Sequence, residues 1–135
     1  MKVLIIDGQG GGLGRQLVTA VKEAHPDIEV LAVGTNSAAT NAMLRPGADQ
    51  AATGENSVAV ASRQADVIMG PIGIVIADSM LGEITPAMAV AVGQSQAKRI
   101  LIPVNLCDNI VVGVGETSMV KNVQNAVNAL EKLLG

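Results

Sequence analysis

The chain opens on an uninterrupted apolar run, Val3-Leu4-Ile5-Ile6, that gives way at Asp7 to Gly8-Gln9-Gly10-Gly11-Gly12-Leu13-Gly14. A run apolar on both faces predicts a buried strand of a parallel sheet. Leu13, Leu17, Val18 and Val21 then recur at helical spacing, which predicts a helix of about twelve residues stopped by His25-Pro26. Ile28 to Val33 is a second apolar run, ended by Gly34. Together these segments make one strand-loop-helix-strand unit of about thirty residues, the length that a dinucleotide-binding unit requires.

The alternation continues. Asn36 or Ser37 can cap a helix through Met43 and Leu44, stopped at Arg45-Pro46-Gly47. Asp49 to Ala52 reads as a short third strand, and Thr53-Gly54-Glu55-Asn56 leads into a helix up to Gln64. Ala65 to Gly70 is a fourth strand ended by Gly70-Pro71. Ile72 to Leu81 is apolar and fits either a continued strand or a loop with a short extended segment. Thr85-Pro86 starts a helix, a hydroxyl cap followed by proline at the first helical position, running to about Val92 with Gly93 at its end. Arg99 to Val104 reads as a fifth strand, Ile110 to Val114 as a sixth, and Glu116 to Leu134 as a closing helix. The pattern predicts a single Rossmann-like, doubly wound α/β domain over residues 1–135, with a mostly parallel sheet of about five or six strands covered on both faces.

Composition narrows the functions open to such a domain. Of 135 residues, 49% are hydrophobic and 16% charged, which excludes intrinsic disorder. There is no Phe, Tyr or Trp, so bases have no aromatic platform on which to stack. The net charge of −3, without a basic cluster, argues against nucleic acid as a partner. No apolar run approaches the roughly 20 residues of a membrane helix. The lone cysteine, Cys107, has no internal disulfide partner. With no leader-like start, the expected compartment is the cytoplasm. Few charges on a small apolar chain predict an apolar patch covered by self-association, a homodimer, with Ile72 to Val92 as the candidate surface and core packing as its rival reading.

Five glycines fall between Gly8 and Gly14. Gly8, Gly12 and Gly14 match the GxxxGxG spacing used by short-chain dehydrogenases; Gly8 and Gly10 start GxGxxG, but Leu13 occupies its last position. In either pattern one glycine turns the chain, one lets backbone amides approach a phosphate, and one lets the helix pack on the strand. A helix amino end offers unpaired N–H groups and partial positive charge, and Arg15 can add a charged contact. The loop therefore reads as an anion or phosphate cradle, with a purely structural turn as the bland alternative. A P-loop is excluded, since no Gly-Lys-Ser or Gly-Lys-Thr follows.

An NAD site wants an acidic side chain after the second strand, and this chain has Gly34-Thr35-Asn36-Ser37 there. Neutral donors at that position suit a 2′-phosphate better, so NADP is one possible cofactor, though no arginine sits beside them. Asp7 would repel a phosphate unless it bonds to its own loop or holds a metal. In an open α/β sheet, ligands gather at the carboxyl ends of strands. That edge collects Thr35, Asn36, Ser37, Thr53 to Asn56, Gly70, Pro71, Gly73 and Asn105 to Asp108. Cys107 lies there too, but the only histidine, His25, belongs to the opposite edge, so a Cys–His pair is not expected; one Cys and one His also exclude a zinc site. Asp78 and Glu83 read either as paired carboxylates for acid–base chemistry or as loop carboxylates that keep an apolar segment soluble.

The segments DGQGGGLG (Asp7 to Gly14), GTNS (Gly34 to Ser37), TGEN (Thr53 to Asn56), GPIG (Gly70 to Gly73) and MLGEITP (Met80 to Pro86) together resemble a family of small bacterial proteins known only as a domain of unknown function. The resemblance covers essentially the whole chain. It implies a compact Rossmann-like domain and no activity. The looser likeness to short-chain dehydrogenases covers only the first strand, loop and helix; without any Tyr, that family's catalytic Tyr-x-x-x-Lys is absent.

Three functions remain in view. One is a small-molecule binding domain for a nucleotide or similar anionic ligand, held by Asp7, Gly8, Gly10, Gly11, Gly12, Gly14, Arg15, Thr35, Asn36, Ser37, Gly70, Pro71, Gly73 and Asn105, with a sensing or regulatory role. A second is a small nucleotide-dependent enzyme whose cleft a partner subunit completes, with Asp7, Glu83, Asn105 and Cys107 as candidate groups. The third is an assembly protein whose glycines serve only turns.

Overall fold

The computed structural model describes residues 1–104 and 108–135. Five strands and five α-helices alternate: β1 (Lys2–Asp7), α1 (Gly12–Ala24), β2 (Glu29–Gly34), α2 (Ser37–Leu44), β3 (Gln50–Thr53), α3 (Glu55–Gln64), β4 (Val67–Pro71), α4 (Pro86–Gln94), β5 (Lys98–Ile102) and α5 (Met119–Leu134). The strands form one parallel sheet in the order β3-β2-β1-β4-β5. That is the Rossmann order, which reverses direction beside β1 and opens a crevice at the carboxyl end of the sheet.

β1 lies at the centre, and Val3, Leu4, Ile5 and Ile6 are all fully buried. Successive strand side chains point to opposite faces, so Val3 and Ile5 join one core and Leu4 and Ile6 the other. The first core packs Leu17, Val18 and Val21 of α1 with Val123, Val127 and Leu130 of α5. The second packs Val58 of α3 with Met88 and Val92 of α4. The register sets Asp7 opposite Gly34, Gly34 opposite Thr53, and Pro71 opposite Ile102. The polar strand ends therefore share one edge.

Two expectations change. Ile110 to Val114 forms no strand; Ile110 is 90% and Val112 88% exposed. Gly113 takes φ +84° and breaks the extended run, which leaves the β-branched side chains without a ladder to join. The closing helix consequently starts at Met119, capped by Ser118. The segment Ile72 to Val92 is mostly core, with Ile74, Ile84 and Val92 fully buried and only Leu81 and Val90 among its large apolar side chains exposed. Its first part, neither strand nor extended loop, is a short 3₁₀ turn, Ile72–Val75. Among the described residues, no helix is long and apolar enough to cross a membrane.

Candidate functional site

The loop after β1 is tied to the strand it leaves. Asp7 is 5% exposed. Its Oδ1 accepts the Gly8 amide at 2.8 Å and its Oδ2 the Gly14 amide at 2.7 Å. Burial pushes the Asp7 carboxyl above the ordinary carboxylate value, the two amides pull it back in part, and the charge of Glu83 adds to the rise. The carboxylate thus serves the loop itself. The Gly11 amide donates to the Gly8 carbonyl at 2.9 Å and closes a turn in which Gln9 takes φ +50° and Gly11 φ +73°.

The five glycines separate into two groups. A Cβ on Gly8 would lie 2.7 Å from Thr35 Oγ1, one on Gly11 2.8 Å from the Ala39 backbone, and one on Gly14 2.5 Å from Met43 Sδ and 2.9 Å from Asp7 Cβ. These three are glycines because the protein itself fills the space. A Cβ on Gly10 or Gly12 would meet nothing within 4 Å, and neither residue takes a left-handed φ. The backbone amides of Gly10, Gly12 and Leu13 have no partner among the described residues, as expected for the free amino end of a helix.

The second wall comes from the start of α2. The Thr35 amide donates to the Asp7 carbonyl at 3.0 Å, which carries the sheet ladder one residue past the strand ends. Asn36 caps α2, its Oδ1 accepting the Ala39 amide at 2.9 Å, while its Nδ2 donates to the Gln9 carbonyl at 2.9 Å. Ser37 opens α2 on its exposed side.

The third wall is built by Glu83, one of the candidate cleft groups named from the sequence. Glu83 Oε1 accepts the Gln9 amide at 2.8 Å, the Thr35 hydroxyl at 2.6 Å and Asn36 Nδ2 at 2.8 Å. Burial pushes this carboxyl up, but the hydrogen bonds from Thr35, Gln9 and Asn36 outweigh it and hold it below its ordinary value. Its loop is tightly bent, with Asp78, Met80, Leu81 and Gly82 all in the left-handed region. Such residues cost roughly 1–3 kcal/mol each where they are not glycine, and persist only when packing over-determines them. Here Ile84 is fully buried, Met80 is 8% exposed, the Asp78 amide donates to the Ile84 carbonyl at 2.7 Å, and Ser79 Oγ donates to the Gly73 carbonyl at 2.5 Å. Asp78 is exposed, and the hydrogen bonds that hold the Glu83 carboxylate come from Gln9, Thr35 and Asn36.

The glycine loop and Met80 border a pocket of about 120 Å³ whose lining includes Asp7, Gly8, Gln9, Gly10, Gly11, Gly12, Pro71, Met80 and Met119, while Thr35, Asn36 and Glu83 lie outside that lining. Other expected site residues lie elsewhere. Gly70 sits between strands, where a Cβ would come 2.5 Å from the Ile6 carbonyl oxygen, and Gly73 packs on Ser79. Arg15 lines a groove between α1 and α5 with Thr19 and Val120 and is not among the residues lining the loop pocket. His25 pairs with Glu131 at 3.2 Å, joining the end of α1 to α5. Asn105 and Cys107 lie outside the described residues. A larger cavity of about 550 Å³ runs along the edge strand β3 under α3, but its lining, which includes Leu31, Val33, Ala51 and Val60, carries no charged side chain. Size favours that cavity as a binding site; convergent polar groups favour the glycine loop.

No curated protein matches the chain. Among solved structures, it is similar to the crystal structure of a dodecameric FMN-dependent Ubix-like decarboxylase from Escherichia coli O157:H7, at 18% identity and TM-score 0.48, covering 97% of this chain and 76% of that one. It is also similar to apo histidine-tagged saccharopine dehydrogenase (L-Glu forming) from Saccharomyces cerevisiae, at 13% identity and TM-score 0.49, covering 93% of this chain but only 24% of that one. Over residues 2–135 the chain matches the family described as "Domain of unknown function (DUF3842)", and it belongs to that family.

Proposed function

We propose that this protein is a small-molecule binding domain that seats the phosphate or another anionic group of a nucleotide-like ligand at the amino end of α1, in a sensing or regulatory role. The observation that carries the reading is the pair Gly10 and Gly12. Neither the fold nor the backbone conformation needs glycine there, whereas a ligand approaching the loop amides does. Their amides, with that of Leu13, supply the donors. Sites for drug-sized ligands run to about 300–1,000 Å³, so the pocket of about 120 Å³ takes the anionic group and the rest of the ligand lies across the open carboxyl edge. Self-association, expected from the composition, would use the exposed Ile110, Val112 and Val120.

The test is thermal melting followed by circular dichroism, with NAD, NADP, flavin, ATP, GTP, coenzyme A and S-adenosylmethionine, each with and without Mg²⁺. A ligand at 100 times its Kd adds about 2.7 kcal/mol. One responder, lost in Gly12→Asp, is the expected result. A responder that binds Gly12→Asp equally well places the ligand elsewhere.

A further inference from the structure

We propose that residues 110–112 form a sixth strand across a dimer. The segment of one copy adds to the outer edge of β5 in a second copy, seating Ile110 and Val112 in the groove between β5 and α5, and the exchange is reciprocal. The proposal rests on the self-association proposed with the function and gives it its contact; it is independent of any ligand at the glycine loop.

The segment and the groove are each half of a contact. Residues 110–114 carry the β-branched pattern of a strand, Ile-Val-Val-Gly-Val, yet join no strand within the single chain. Ile110 and Val112 are 90% and 88% exposed. In an extended chain, residues two apart share a face, so both side chains enter the same groove. β5 ends the sheet and pairs with β4 alone, which leaves the hydrogen-bonding groups of its outer edge for another strand. Beside it lies a groove of about 380 Å³, lined by Ile100 and Ile102 of β5, by Asn122, Ala126 and Ala129 of α5, and by Val114. The chain does not fill this groove itself. Gly113 takes φ +84° and turns the backbone, so Val114 lines the groove while Ile110 and Val112 stay outside its lining.

Three observations make the occupant a second copy. Segment and groove adjoin in each chain, with Val114 belonging to both, so a two-fold axis lets each copy insert and accept at once and closes the contact at a dimer. The groove lining carries no charged side chain, and neither do residues 109–115. Charges stand at the margins with opposite signs: Asp108 and Glu116 flank the segment and Lys98 opens β5, all exposed and none in an ion pair among the described residues. Arg99, the other cation of β5, donates instead to the carbonyls of Val92, Ser95 and Ala97. The area is also of the right order. Four inserted side chains per dimer, on the order of 100 Å² each, and the surface they cover give roughly 800 Å². The added strand backbone and the flanks carry that towards the roughly 1,200–2,000 Å² of a stable interface.

The experiment is analytical ultracentrifugation of the full chain from micromolar to millimolar concentration, with circular dichroism to establish that each variant is folded. Wild type is expected to be a reversible dimer and the double variant Ile110→Asp, Val112→Asp a monomer. Leu81→Asp, at a side chain that is 99% exposed on the loop before α4, should associate like wild type. Lys98→Glu sets like charges together and should raise the dimer Kd about tenfold. Hydrogen exchange on wild type needs no substitution, so it decides even where the double variant fails to fold: the amides of residues 110–112 and of β5 should gain protection as concentration rises. A wild type that stays monomeric throughout overturns the proposal and the self-association beneath it. A dimer that survives in the folded double variant, or growth past a dimer, overturns the proposal alone. So does a dimer whose 110–112 amides exchange as fast as the monomer's, or one whose Kd is unchanged in Lys98→Glu, which puts the segment on another edge.

Discussion

Glu83 Oε1 lies 2.8 Å from the backbone nitrogen of Gln9, so a carboxylate 74 positions down the chain ends on the glycine loop. Its three donors hold it below the ordinary value of 4.5 despite partial burial. A carboxyl whose folded pKa lies below its unfolded one stabilises the fold above the unfolded value and loses that contribution as pH falls through the folded one. Wild type should therefore melt above Glu83→Gln near neutrality, with the gap closing as pH drops below 4.5. Asp7, shifted the opposite way, is present in both proteins, and only the small part of its rise that comes from the Glu83 charge enters the difference. Melting curves of the pair from roughly pH 7 to 3 check this; a gap that stays constant would show that the Glu83 contacts do not depend on its charge.

Adjacent glycines should respond differently to the same methyl group. Gly11→Ala forces φ +73° on alanine and drives its Cβ to 2.8 Å from the Ala39 backbone, a cost of about 1–3 kcal/mol or more. Gly12→Ala adds its methyl to open space at the first turn of α1. Its stability should stay within about 1 kcal/mol of wild type, leaning towards a gain. Urea unfolding midpoints of the two variants separate these outcomes.

Lys22 is more than a surface ion-pair partner. Its Nζ donates to the Pro26 carbonyl at 3.1 Å, the Ile28 carbonyl at 2.9 Å and Asp49 Oδ2 at 2.9 Å. It thereby ties the end of α1 to the chain entering β2 and to the turn before β3. Lys22→Ala should cost about 1–3 kcal/mol, against about 0–1 for an exposed pair. Because two of the three acceptors are neutral carbonyls, most of the loss should persist in molar salt, which denaturation at two ionic strengths reads directly.

Ser62 offers a stabilising substitution. It is 2% exposed on α3, and its buried Oγ has no hydrogen-bond partner among the described residues. Ser62→Ala removes an unsatisfied hydroxyl and improves helix propensity, for a gain of about 0.5–1.5 kcal/mol. A higher Tm is the expected result; a lower one would mean that the hydroxyl has a partner in solution.

Local rules read most of the fold correctly. The buried run at β1, the caps at Asn36 and Thr85, and Pro86 at the first turn of α4 all stand where the residues put them, since each depends on neighbours within about four positions. The one false strand, Ile110 to Val114, has the right β-branched pattern but also needs a partner strand and an uninterrupted extended backbone, and neither requirement is local.

The candidate site was half legible for the same reason. The sequence alone determined that a glycine loop follows a buried central strand and precedes an amphipathic helix, because apolar period and glycine spacing are properties of adjacent residues. It also placed Thr35, Asn36 and Pro71 at the same edge through strand order. Only the tertiary structure decided which glycines face protein and which face open space, that Arg15 lines the groove beside α5, and that Glu83 ends against Thr35 and Asn36 after β2. Those outcomes depend on strand register and on where a bent loop docks, and long-range hydrogen bonds of that kind leave no periodic trace along the chain.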